Sequence, residues 1–485
     1  MSEIPSDKPP QRIVRRWVIT VVCLAVLVAV FYAEEDWRGK RAWDNCQREL
    51  AAKGMVLDWN ACIPPNVPEE QNLFKAHKMT EWFVKNRTAF TNDLLNRLQS
   101  ANTALTASVS MDTNLIATTA SAADYLVWSD QFEPDFALIR AALQRPYARM
   151  DGDYSNPDKI PLPNFITVRI VAQMLAQRAH CYLLLNQPEK ALRELTLLND
   201  SRRLLQAAPS GKPMTMVAAM INVAVAGVYI QTVAEGLQRQ AWQNAELVTL
   251  QEQLAGINLA PFVIHAFEFE PAAVCRAAPT IDFRKMMNMF DVVSGSSKRN
   301  MWQNLWRKVT NLNTVALNLA PRGWIYQNMA NFARATQKIH ESLFDAEQLV
   351  TPQRADQAMK TLEMQLEHAP AFNLLSSFGI PNYSKALQTF ARNQTHINES
   401  QIVCALERHH YAHGDYPAAL DALMPEFIGQ LPPDLIGGQP LRYLRTSDGK
   451  FLLYSVGWNE KDDGGESDNR IIDGKDDWAW QYPFK

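Results

Sequence analysis

The sequence predicts a mainly α-helical fold: a single N-terminal transmembrane helix, an irregular body of helical hairpins, and a small C-terminal α+β unit containing an antiparallel hairpin. Three observations predict it. A charge-free apolar run fills residues 17–33. Apolar residues then recur at helical spacing through most of the chain. Short alternating runs bounded by turn residues appear near the C-terminus.

With 485 residues, the chain is long enough for two or three domains and a large core. At 47% hydrophobic and 20% charged, its composition is that of a globular protein and not of a disordered one. The net charge of −3, with no basic cluster interleaved by aromatics, gives no argument for nucleic-acid binding. Composition and punctuation divide the chain into a cytoplasmic tail at 1–16, an anchor at 17–33, a juxtamembrane neck at 34–68, a helical body at 69–389 and a C-terminal domain at 390–485.

Arg12, Arg15 and Arg16 precede the apolar run and Glu34, Glu35 and Asp36 follow it. Residues 17–33, as a helix rising 1.5 Å per residue, reach roughly 25 Å, at the short end of what spans a hydrocarbon core. Trp17 and Tyr32 sit where interfacial aromatics belong. The flanking charges predict a single membrane pass, with the N-terminus cytoplasmic and the bulk of the chain extracytoplasmic. Phe31 and Tyr32 are too bulky for the small-residue pattern of a cleaved signal peptide. In such a compartment Cys46 and Cys62 are the pair close enough in sequence to suggest a disulfide, the alternative being buried free thiols.

Trp37 to Lys53 continues as a helix, and Pro64-Pro65 ends the neck. From Pro68-Glu69-Glu70 a new helix is expected, with Leu73, Phe74, Met79, Trp82 and Phe83 facing inward. Residues 101–123, rich in Ala, Ser and Thr, fit a loop or a weak helix equally. Phe165 to Gln206 reads as a helix pair around an Asn-Gln-Pro turn, spaced like one tetratricopeptide unit at Ala176, Arg178, Ala179, Tyr182, Leu183, Asn186, Pro188, Ala191 and Leu192. Met214 to Ala234 carries no charge and is long enough to span a bilayer. Asn222, Gln231 and Thr232 mark it as a central buried helix instead. Ala241 to Ile257 is amphipathic, with Leu247, Leu250, Leu254 and Ile257 on one face. Pro261, Pro271 and Pro279 are expected to break the chain up. Phe283 to Trp306 carries a Met and aromatic stripe suited to adaptable core, with Gly295-Ser296-Ser297 making it the place to look for a partner groove. Trp324 to Leu343 and Ala355 to Leu366 are further helices, and Pro370 to Pro381 a loop.

The tail begins with a helical run from Ile402 to His413 that stops at Gly414. Tyr416-Pro417 and a short amphipathic segment with Leu420, Leu423 and Phe427 follow. Leu441 to Arg445 and Lys450 to Val456 flank Thr446-Ser447-Asp448-Gly449, a hairpin signal. The sequence Gly-x-Tyr-Pro at 414–417, Leu-Pro-x-Asp at 431–434, Gly-Gly-x-Pro-Leu-x-Tyr at 437–443 and Leu-Tyr-Ser-x-Gly at 453–457, before an acidic Gly-rich loop, resembles the globular part of the type II secretion major pseudopilin. The resemblance covers under a fifth of the chain and implies a pseudopilin-like module, partners among secretion or envelope proteins, and a calcium site at Asp462, Asp463, Asp468, Asp473 and Asp476. Calcium seeks six to eight oxygens, which such a loop can wrap to supply. The Gly and nearby Glu of the family's prepilin-peptidase site are missing, so a module shape and an ion site carry over, not polymerisation. The chain as a whole resembles membrane-anchored bacterial proteins of uncharacterised activity.

Other candidates for chemistry are sparse. His409 and His413 stand four apart with Asp415 beyond, the spacing of a two-histidine metal face or of an ordinary polar helix end. Glu268 and Glu270 with Arg276, and Asp282 with Arg284, offer acid–base groups that also read as plain ion pairs. No Gly-x-Ser-x-Gly, phosphate-binding Gly-rich loop or His-Glu-x-x-His occurs. The expectation is a non-catalytic scaffold or interaction protein. The alternative is an envelope hydrolase with a site assembled from scattered residues.

Overall fold

A computed structural model describes residues 11–55, 57–85, 92–108, 119–207, 215–279, 321–345, 349–368, 372–373, 375–376, 383–466 and 477–481. The fold is mainly helical, with an apolar helix at its N-terminal end and a small antiparallel three-stranded sheet at the other.

Helix α1 (Gln11–Ala52) runs unbroken from the apolar segment into the body. Its residues 15–31 are all exposed, whereas Glu35, Gly39, Trp43, Cys46 and Leu50 form a buried stripe at helical spacing. That stripe packs on α11 (Arg322–Leu343), which lies parallel to it. A Cβ on Gly39 would fall 2.1 Å from the carbonyl oxygen of Gly323, so the two backbones touch where only glycine fits. Two of the three carboxylates that follow the apolar run serve this contact. Asp36 accepts the Gly323 N–H at 2.7 Å, and Glu35 accepts the Trp324 indole N–H at 2.9 Å. Both lie at the N-terminal end of α11, where its dipole favours negative charge.

The body includes α2 (Met79–Phe83), α3 (Asp93–Ser108), α4 (Thr119–Ser129), α5 (Glu133–Leu143), α6 (Phe165–Leu184), α7 (Pro188–Ser201), α8 (Met216–Gln238), α9 (Asn244–Ala255), α10 (Ala260–Ala277) and α12 (Pro352–His368). The α6–α7 hairpin turns at Asn186, whose φ of 51 lies in the left-handed region that asparagine tolerates. Helix α8 is packed on by α6, α7, α10 and α13 (Tyr383–His413), and its buried Asn222 accepts the Arg202 Nε–H at 2.8 Å. Among the described residues three stretches, Arg15–Ala52, Met216–Gln238 and Asn244–Ala277, are long and apolar enough to cross a membrane by length and composition. The first is bare of protein contact over its apolar window, and the other two are substantially buried.

Two expectations are corrected. The helix expected from Pro68 is broken into short turns and the five-residue α2, although Leu73, Phe74, Met79, Trp82 and Phe83 are all buried. Leu73 donates its N–H to Tyr147 and Gln71 accepts from Tyr147, so the backbone there pairs with a distant strand-like segment, and Lys78 turns with a φ of 68. Conversely, α10 is continuous through two of the prolines. Pro261 lies in its first turn, where an N–H is not needed, and Pro271 is interior but buried among Phe267, Phe269, Ala272 and Cys275.

The tail helix is longer than its sequence signal, since α13 starts at Tyr383 and ends at Gly414, which has a φ of 82. Strands β1 (Arg442–Arg445) and β2 (Phe451–Ser455) form the expected hairpin, with Arg445 opposite Phe451. A third strand, β3 (Trp478–Gln481), extends the sheet in the order β1-β2-β3, placing Trp480 opposite Leu453. The hydrophobic core is continuous from Leu73 to Trp480, so body and tail share it. All six cysteines are free. Cys46 is buried in one cluster with Cys275, and its thiol donates to the Ala330 carbonyl at 3.5 Å.

Candidate functional site

Helix α13 threads from the body into the tail and carries two glutamates, eight residues apart, on its buried face. Glu407 accepts the Tyr416 hydroxyl at 2.8 Å. Burial lifts its carboxyl to about 7, against the smaller opposing pull of that hydrogen bond. Glu399 is 0% exposed, with one carboxylate oxygen 2.7 Å from His396 Nδ1 and the other without a hydrogen bond among the described residues. Burial raises it too, to about 7, with nearby Asp434 adding to the rise. Asp434 is itself buried and raised to about 6, although it accepts from Ser455 Oγ at 2.8 Å and from the Ile436 N–H at 3.0 Å.

These contacts link the tail motifs in pairs. Tyr416 of Gly-x-Tyr-Pro meets Glu407, Asp434 of Leu-Pro-x-Asp meets Ser455, and the Tyr443 hydroxyl donates to the Pro417 carbonyl at 2.8 Å. Arg408 pins the tail to the body, donating at 2.8 Å to both Gln251 of α9 and the Phe427 carbonyl.

Of the acidic-loop residues, Asp462 and Asp463 lie in the described part, while Asp468, Asp473 and Asp476 fall outside it. Asp462 accepts the Tyr454 hydroxyl at 2.9 Å and the Gly464 N–H at 3.1 Å, with Arg442 at 3.7 Å. Asp463 accepts from Asn459 at 2.8 Å. Asp477 organises the base of the loop. It is 1% exposed, and one oxygen accepts the N–H groups of Asp463 at 3.0 Å and Gly465 at 2.7 Å. Its other oxygen is buried without a hydrogen-bond partner among the described residues. Burial first, then the charges of Asp463 and Asp462, push its carboxyl above the ordinary aspartate range. The described residues by themselves contain no group of three metal-ligating side chains.

His409 and His413 stack at the end of α13 with ring centroids 4.3 Å apart, and Asp415 pairs with Arg445 at 3.3 Å. Glu268 binds His265 at 3.0 Å, and Glu270 accepts the Met216 N–H at 2.9 Å, capping α8 together with Thr215. Arg276 is exposed at the end of α10. Asp282 and Arg284, like the stripe from Phe283 to Trp306, lie outside the described residues. A small cavity of about 20 Å³, room for one water, opens between Met150, Tyr154, Leu162, Leu204, Leu205 and Ala218.

Sequence reading missed Glu399, Glu407, Asp434 and the special position of Asp477. The signal for the first two was present: they fall on the same helical face as Ile402, Val403 and Leu406, where a charge is out of place. No protein-family model, curated protein or solved structure matches this chain.

Proposed function

We propose that this chain is a membrane-anchored scaffold, holding its helical body and a pseudopilin-like module outside the cytoplasm at a bacterial inner membrane, where it engages envelope or secretion-system proteins. The observation that carries this is the continuity of α1. One helix is bare and apolar over residues 17–31 and then docks its buried stripe on α11, so the anchor and the body are a single rigid joint. Scaffolding is favoured over hydrolysis because Glu268, Glu270 and Glu407 are each committed to a structural partner. Dual reporters fused after residue 485 test the topology: alkaline phosphatase is expected to be active and green fluorescent protein dark. The reverse pattern sinks the proposal.

The acidic loop is the module's proposed calcium site. Asp462, Asp463 and Asp477 supply carboxylates from the described part, and the Asp477 oxygen without a hydrogen-bond partner among the described residues is the kind of buried group that a cation satisfies. Bound calcium would neutralise these like charges. Adding calcium is expected to raise the melting temperature of the protein by ligand linkage. A melting curve indifferent to both calcium and chelator removes the site.

A further inference from the structure

We propose that His409 and His413 form a two-imidazole chelate for a borderline divalent transition metal, of the zinc or copper class, on the last turn of α13. Spacing alone leaves this open, and the geometry adds two things. His409 Nδ1 lies 2.9 Å from the carbonyl oxygen of Asp415, and His413 Nδ1 lies 3.1 Å from the carbonyl oxygen of His409. A carbonyl oxygen only accepts, so both Nδ1 atoms carry the proton, and in the neutral rings both Nε2 atoms keep their lone pairs. A bond from the second ring nitrogen to a carbonyl is the orientation that metal-bound histidines use.

The rings are also held together. They stack at 4.3 Å with an interplanar angle of 30°, and the Phe427 ring lies 5.4 Å from one and 5.8 Å from the other. Asp415, two residues beyond His413, is drawn off by Arg445 at 3.3 Å. Among the described residues no third side chain completes a three-ligand group. The remaining positions are open to water or to a group from a partner. Nitrogen ligands select zinc, copper or nickel over calcium, which sets this face apart from the carboxylate loop. Chelation across one helical turn fastens the end of α13 immediately before the Gly414 turn.

Copper(II) titrated into the full-length protein in detergent, followed by electron paramagnetic resonance, tests it. The expected result is one high-affinity site per chain with superhyperfine splitting from two imidazole nitrogens. His409→Ala and His413→Ala should each weaken binding by roughly tenfold or more, while His77→Ala, at an exposed histidine elsewhere, should change nothing. Zinc should raise the melting temperature of the wild type but not of the double variant, whose metal-free melting confirms that it is folded. A nitrogen signal surviving in the folded double variant overturns the proposal, as does wild-type copper uptake without nitrogen splitting.

Discussion

Two regions bury charge in opposite ways. At the α6–α7 hairpin, Arg178 is 1% exposed and Glu194 is 0% exposed, and they face each other at 3.5 Å. Arg178 also donates to Ser129 at 2.7 Å and Asp130 at 2.9 Å, while Arg193 reaches Glu194 at 3.1 Å. At the junction of α13 with the tail, Glu407 accepts the Tyr416 hydroxyl and makes no ion pair among the described residues. The first region neutralises charge with charge. The second raises a carboxyl to about 7 by burial, so that its stability follows pH across neutrality.

The sharpest way to break the contrast is to remove one partner of the compensated pair. Arg178→Met takes from Glu194 its buried counter-charge, leaving the part-exposed Arg193 and Arg140, and should cost roughly 3–5 kcal/mol, read as a large drop in melting temperature. A loss below about 1 kcal/mol would mean that the hairpin is not held this way.

The uncompensated region should respond to pH instead. Glu407 binds its proton more tightly in the folded state than in the unfolded chain, so its contribution is fully present below the ordinary glutamate range and fades as pH rises through about 7. Wild-type stability should therefore fall between pH 5 and pH 8, and Glu407→Gln should flatten that slope by on the order of 1–3 kcal/mol. Equal slopes in wild type and variant, measured by chemical denaturation, would erase the distinction between the regions.

The smallest effect sharpens it. Tyr416→Phe removes the hydrogen bond that favours the ionised form of Glu407, at a cost of about 1 kcal/mol at high pH. The midpoint of the pH transition should then move upward. A downward shift would mean that the hydroxyl stabilises the neutral acid.

Much of the fold was legible because local signals agreed with tertiary context. Leu247, Leu250 and Leu254 are buried on α9 and Ile257 just beyond it, and the turn at Asp448-Gly449 joins the strands it punctuates. Failures came where a distant segment decided the outcome. The stretch around Leu73 pairs with Tyr147, a contact no local period encodes. Pro271 stays helical because its neighbours bury both flanks of α10. Strand β3 escaped notice because its Trp-Ala-Trp pattern is too short to read without β2 beside it. At the site, exposed-looking chemistry drew attention to histidines and loop aspartates. The carboxyls that burial perturbs, Glu399 and Glu407, are hidden among apolar residues on α13 and show up only when burial is known.

The glycine contact between α1 and α11 has a mechanical consequence. Because the helix that would traverse the lipid is the same helix that grips the body, there is no swivel between them. Tilting or rotating that helix within the bilayer would turn the whole body like a lever. Any partner that docks on the body would then meet a surface set at a fixed height and heading above the membrane, not one swinging on a tether.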